Sequence, residues 1–258
     1  VLAKCMTLAF TEIGEGEPIV ILHGLFGSGR NWASIAKALA DTYRVITVDL
    51  PNHGASEWTE RVTYQGLAEA TANFLTQHDL QGCTLLGHSM GGKTAMTLAL
   101  SQGELISRLI VADIAPVPYD HDNLAVIEAL AAVDLASVKS RNEAEAQMAV
   151  HISDRMLRAF LLQNLRREGD GYQWRINLEG LKASLPDLHG FPEFDTTFEK
   201  PAVFIAGAES DFVEPEHHAE IDRLFPNSSV VDLTYAGHWL HADNPKAFIQ
   251  AVVQFLNA

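Results

Sequence analysis

Cysteine is scarce in this 258-residue chain: only Cys5 and Cys83 occur, far apart and in unlike surroundings. Two such residues form neither a disulfide framework nor a metal-ligand spacing, so a reducing, cytoplasmic home is expected. Cys83 opens an apolar run and reads as a packing residue. Basic residues are few, 18 against 33 acidic ones, for a formal net charge of −15. That balance, with no basic stripe, argues against a protein that holds nucleic acid by neutralising phosphates. The acid excess bears on solubility and identifies no partner. No run approaches the roughly 18 apolar residues of a membrane span. The opening VLAKCMTLAF has no long apolar core followed by a small-residue cleavage site. A soluble intracellular protein is therefore expected, with its oligomeric state left open. Internal repeats and low-complexity stretches are lacking too.

What is present is core-forming material: 47% hydrophobic and 20% charged residues, close to the average soluble domain. Length alone allows one large α/β domain or two small ones. Short apolar runs rich in β-branched residues read as buried strands: PIVILHG from Pro18, YRVITVDL from Tyr43, GCTLLGH from Gly82, SRLIVADI from Ser107, PAVFIAG from Pro201 and SVVDLTYAG from Ser229. Between them lie helix-period segments, among them NWASIAKALADT from Asn31, TYQGLAEATANFLTQHDL from Thr63 and PKAFIQAVVQFLNA from Pro245. Pro245 suits a first helical position. Alternation of strand and helix predicts an α/β fold with a mostly parallel central sheet flanked by helices. Roughly 80 residues between Asp113 and Pro201 break the rhythm, far more than a simple connection needs. They carry helical signals of their own, in NLAVIEALAAVDL, NEAEAQMAVHI and DRMLRAFLLQNL. The reading is a core of residues 1–116 and 197–258 with an inserted helical cap, 117–196, over the sheet's carboxyl edge, where open α/β sheets bind ligands.

In TLLGHSMGGKTAM, residues Gly87 to Gly91 match G-x-S-x-G directly after a strand and before a helix. The glycines two before and two after Ser89 give a strained turn room, having no Cβ to clash. The serine hydroxyl then stands at the sheet edge over a helix amino terminus, a favourable place for negative charge. Ordinary Gly and Ser frequencies would produce this pattern about 0.06 times in such a chain, so a nucleophilic serine is the preferred reading over a merely glycine-rich turn.

A serine nucleophile needs a base and a group to orient that base. Of 11 histidines, His238 in YAGHWLHADNP follows the last strand at a glycine and precedes the final helix, so its loop reaches the edge that carries Ser89. His241, three residues on, ranks below it as a packing or hydrogen-bonding residue. His88 lies within the turn and should point away from its neighbour's side chain. Two acids compete from loops at the same edge: Asp113 in LIVADIAP and Asp211 in IAGAESDFVEP. The residues alone leave both open. Donors for an oxyanion can come from the backbone amides of Met90 and Leu25, with Phe26 a substitute for the latter.

Together, the order Ser, Asp, His, the early HG, the D-x-x-x-x-G-x-S-like DLPNHGAS and the late GHWLHADNP resemble the α/β-hydrolase family over nearly the whole chain. More narrowly, HGLFGSGRNW, DLPNHGAS, GHSMGGK, ADIAP and AGHWLHA resemble the small bacterial YbfF-type esterases and their mitochondrial relatives. The resemblance implies an α/β-hydrolase fold and serine hydrolysis of short- to medium-chain acyl esters or thioesters, acyl-CoA included. In many α/β-hydrolases the acid stands in a G-x-x-D pattern, which here falls on Ser210. The narrower family implies Asp113 as the acid, with Ser210 as a fourth member bonding the histidine.

Such chemistry requires no metal or organic cofactor, and the implied partner is a small acyl ester or thioester. His23 and His53 read as local loop staples and Asn52 as structural, with substrate contact the alternative for Asn52 and His53. His217 and His218 read as surface residues, since neighbours on a helix face about 100° apart and lack a third ligand. The DHD run from Asp120 reads as a solvated helix start. Arg166 and Arg167 in the cap read as solvated, or as contacts for an anionic part of a substrate. Two rivals stay open: a carbon–carbon bond hydrolase or lyase of the same fold, and a non-catalytic hydrolase-fold binding protein.

Overall fold

The computed structural model describes residues 6–120 and 122–258; Cys5 and His121, the centre of the DHD run, lie outside them. The chain opens with two strands, β1 (Phe10–Ile13) and β2 (Glu17–Leu22), then helix α1 (Ala33–Leu39) and strand β3 (Tyr43–Val48). Helix α2 (Tyr64–Gln77), strand β4 (Cys83–His88), helix α3 (Met90–Gln102) and strand β5 (Ile106–Ala112) follow. The long insertion then carries α4 (Asn123–Ala131), α5 (Arg141–Met148), α6 (Arg155–Leu161), strands β6 (Leu165–Glu168) and β7 (Gly171–Trp174), and α7 (Leu178–Leu188). The chain closes with β8 (Ala202–Gly207), α8 (His218–Leu224), β9 (Ser228–Leu233), the short α9 (Leu240–Asp243) and α10 (Pro245–Leu256).

Seven strands pair in the order β1-β3-β2-β4-β5-β8-β9. All neighbours are parallel except β1, which runs antiparallel to β3 at one edge. Both faces of the sheet are buried, and the strand period of two divides its side chains between them. On β2, Val20 and Leu22 join the core beneath α2, α3 and α8, while Ile19 and Ile21 join the core beneath α1 and α10. This two-faced burial makes the parallel strands read as continuous apolar runs. The exposed residues of β1 leave no such run, and that strand is held by main-chain pairing with β3 and by side-chain contacts of Thr11 with Thr47 and Glu12 with Arg44.

The insertion differs from an all-helical cap. DRMLRAFLLQNL stops being α-helix at Leu161, and an antiparallel hairpin follows in which Glu168 pairs Gly171. Gly169 has φ +56°, the left-handed backbone that a two-residue hairpin turn demands. The helices of the insertion bury a third apolar cluster, including Leu130, Met148, Leu161, Trp174 and Leu181, to which the core contributes Phe26. Polar ties reinforce the seam. Asn52 Oδ1 accepts from the Thr59 amide (2.7 Å) and from Asn177 Nδ2 (3.0 Å), and the Asn177 amide donates to the Asn52 carbonyl (2.9 Å). Among the described residues no helix is long and apolar enough to cross a membrane.

Candidate active site

Because the central strands are parallel, their carboxyl ends share one edge, and the loops leaving them converge. Ser89 follows β4 with φ 51° and ψ −117°, a strained conformation for a residue with a side chain. The flanking glycines make it possible. A Cβ on Gly87 would lie 2.1 Å from the Gly91 carbonyl oxygen, and one on Gly91 would lie 2.4 Å and 2.5 Å from those of Leu22 and His23. The turn is thus pressed against the end of β2.

His238, on the loop after β9, has its Nε2 3.0 Å from Ser89 Oγ and its Nδ1 2.8 Å from Asp113 Oδ2. A carboxylate only accepts, so Nδ1 carries the proton and the serine hydroxyl donates to Nε2. Asp113 follows β5, is fully buried, and has φ 51°. Its Oδ1 accepts from the Gly207 amide at 2.7 Å and its Oδ2 also accepts from the Ser210 hydroxyl at 2.5 Å. Ser210 therefore serves the acid and not the histidine, the partner that the narrower resemblance implies for it. It leaves β8 on the side where the carboxylate lies. Asp211, the alternative acid, is exposed. Phe212 stacks on the His238 ring, with centroids 3.8 Å apart and planes 18° apart.

Around this chain of hydrogen bonds the histidines take distinct positions. His88 is buried and donates from Nε2 to the His238 carbonyl at 2.8 Å. Burial, with His238 and His241 beside it, holds its pKa well below the ordinary value. It lines the same cavity as Ser89 and anchors the His238 loop, a contact that sequence reasoning missed. His241 is buried and stacks on Trp32 at 4.2 Å, and burial lowers its pKa to about 4.

The loop after β2 is held by two neutral imidazoles. His23 donates from Nδ1 to the Gly24 carbonyl and accepts at Nε2 from the Leu50 amide. His53 donates from Nδ1 to the Pro51 carbonyl and accepts at Nε2 from the Phe26 amide at 3.2 Å. The Phe26 amide is thus committed, which leaves Leu25 as the candidate donor on this loop. Met90 is the first residue of α3, where a helix leaves amides unpaired.

A cavity of about 310 Å³ opens on Ser89 and His238. Leu25, Met90, Ile114 and Trp239 line it from the core, and Val126, Leu157, Phe160 and Leu188 from the insertion. Arg166 and Arg167 do not line it: both are exposed on β6, and Arg166 pairs with Glu168. The cavity's cation is instead Lys93, on α3 one turn beyond Ser89. The signal for it was a lone charge among the otherwise uncharged residues of MGGKTAMTLALSQ. His217 is half-buried and accepts at Nδ1 from the Glu214 amide, capping its own turn.

The family profile of the alpha/beta hydrolase fold matches residues 17–245. The chain belongs to the α/β-hydrolase family. It is 43% identical to an sn-1-specific diacylglycerol lipase ABHD11 of Danio rerio, over 96% of this chain and 80% of that one. It is 33% identical to esterase YbfF of Escherichia coli strain K12, over 94% of each. Among solved structures, one described as a marine microorganism esterase superposes with a TM-score of 0.94. That structure is 38% identical, over 97% of this chain and 99% of its own.

Proposed function

We propose that this α/β-hydrolase is a serine carboxylesterase that works through an acyl-enzyme on Ser89. The observation that carries the reading is the unbroken path from Ser89 Oγ through His238 to the buried Asp113, with contacts of 3.0 Å and 2.8 Å. Its relatives named as esterases and as a diacylglycerol lipase supply the reaction class. The substrates are carboxylic esters, and thioesters including acyl-CoA, of short to medium acyl chains. A mostly apolar cavity of about 310 Å³ beside the serine suits them.

Ser89 Oγ attacks the carbonyl carbon while His238 Nε2 takes its proton. Asp113, fixed by Gly207 and Ser210, holds the imidazole in the tautomer that leaves Nε2 free and stabilises the imidazolium once formed. The amides of Leu25 and Met90 receive the charge that builds on the carbonyl oxygen. His238 then protonates the leaving alcohol or thiol. Water, deprotonated in turn by His238, attacks the acyl group and regenerates Ser89. The insertion, residues 117–196, acts as a cap that closes one side of the cavity and selects the acyl group.

Ser89→Ala is expected to abolish hydrolysis of a short p-nitrophenyl ester while leaving the circular dichroism spectrum unchanged. Turnover equal to the parent protein would end this assignment.

A further inference from the structure

Lys93 is 2% exposed, and no carboxylate forms a salt bridge with it among the described residues. Its ammonium has three N–H donors and two acceptors: the Gly190 carbonyl at 2.6 Å and, more distantly, the His189 carbonyl at 3.4 Å. Two aromatic rings flank it, Tyr119 at 4.8 Å and Tyr64 at 5.6 Å from Nζ to ring centroid. Both phenol hydroxyls donate to main-chain carbonyls, Tyr64 to Leu188 and Tyr119 to Phe212. They offer Lys93 ring faces, which attract a cation without neutralising it. Lys93 lines the same cavity as Ser89, as do Tyr64, Tyr119 and His189 around its ammonium. Four residues of helix separate the two, about 6 Å of rise. The other ionised side chain lining the cavity is Asp122, which is exposed and caps α4 through the Ala125 amide.

We propose that Lys93 is a carboxylate-binding group of the cavity, so that the preferred ester carries a carboxylate a short methylene chain away from its scissile carbonyl. The argument rests on the serine-esterase reading above for the bond that is cut, but not for the anion site. A cation buried without an anion is costly, and burial alone brings this ammonium's pKa down to about 7. A substrate carboxylate that reached the third N–H would make a charge-assisted hydrogen bond in surroundings of low dielectric. A lysine serving only to strap α3 to the chain after α7 would be indifferent to substrate charge. Selectivity for charge therefore separates the two roles.

The test compares methyl pentanoate with monomethyl glutarate (charge on the acyl side), and butyl acetate with 4-acetoxybutanoate (charge on the alcohol side). Hydrolysis is followed at pH 7 by pH-stat in the parent protein, Lys93→Met and Lys93→Arg. In the parent protein, the charged member of one pair should exceed its neutral partner in kcat/KM by roughly tenfold. Lys93→Met should lose that ratio, and Lys93→Arg should keep most of it. Glutarate should bind the Ser89→Ala protein in a calorimeter, a readout independent of catalysis and of whether Lys93→Met folds. A parent protein that favours neither charged ester and binds no glutarate overturns the proposal, leaving Lys93 a strap. Failure to cleave even the neutral esters, with glutarate still bound, would instead count against the esterase reading alone.

Discussion

Asp113 is buried at the end of β5 in a left-handed backbone conformation, and three donors converge on its carboxylate: Gly207, Ser210 and His238. Asp211 sits exposed on the neighbouring loop. Replacing Asp113 by Asn keeps the shape but puts an amide where an acceptor is needed, turning the imidazole toward the wrong tautomer. Asp113→Asn should therefore lower kcat about 10³–10⁴-fold. Asp211→Asn should change it by less than about twofold, as expected of an exposed side chain. Ser210→Ala removes one donor from Oδ2 and should cost about tenfold. Steady-state kinetics on one ester checks all three, and a larger loss at Asp211 than at Asp113 would refute the assignment. The residues themselves could not choose between these acids. Both follow parallel strands, and the choice depends on which loop turns inward. Ser210 shows the same limit: its position in the chain was legible, but its bonding to the acid instead of the imidazole depends on side-chain placement.

The elements that hold the site were more legible than its contacts. The parallel strands announced themselves because burial on both faces leaves unbroken apolar runs, and Ser89 because its turn tolerates only glycine two residues before and two after it. What escaped the reading lacked a local signal or carried a weak one. Exposed β1 buries no apolar run, and the β6–β7 hairpin is marked by the short EGDG. The His88 bond to the His238 carbonyl spans 150 positions. The close fit of α3 against β2 gives an element-scale prediction. Gly91→Ala would drive a methyl into two main-chain carbonyls that cannot step aside. It should cost about 1–3 kcal/mol and displace the Leu25 loop, so kcat falls more than KM rises. Gly66→Ala on α2, whose new Cβ would meet nothing nearer than Thr63 Oγ1 at 3.4 Å, is the control and should gain about 0.4–1 kcal/mol. Urea unfolding of the two variants measures the contrast, and equal stability would mean that the turn is not tightly pressed.

Across the whole molecule, several titratable groups are buried uncharged in or beside the site. Burial pushes His23 and His241 down to about 4 and His53 to about 3. Each is neutral in the folded protein and takes up a proton on unfolding near its ordinary value of about 6.5. The unfolded chain therefore binds more protons than the folded one as pH falls from about 6.5 toward 4, and stability declines across that window. Above about 7 the three contribute no pH dependence, because both states are then neutral. For His241 the full effect is of order 3 kcal/mol, reached only near its folded pKa. It is also the histidine whose imidazole can be replaced at least expense. His23 and His53 each bond the backbone through both ring nitrogens, whereas Nδ1 of His241 is buried with no partner among the described residues and the ring's contact with Trp32 is a stack. His241→Phe retains the stack and removes the proton-binding site. Its stability should lie within about 1 kcal/mol of the parent protein at pH 7.5 and exceed it by about 1–2 kcal/mol at pH 5. Urea denaturation at the two pH values provides the comparison, and parallel loss of stability in the two proteins would mean that His241 is not held neutral by the fold.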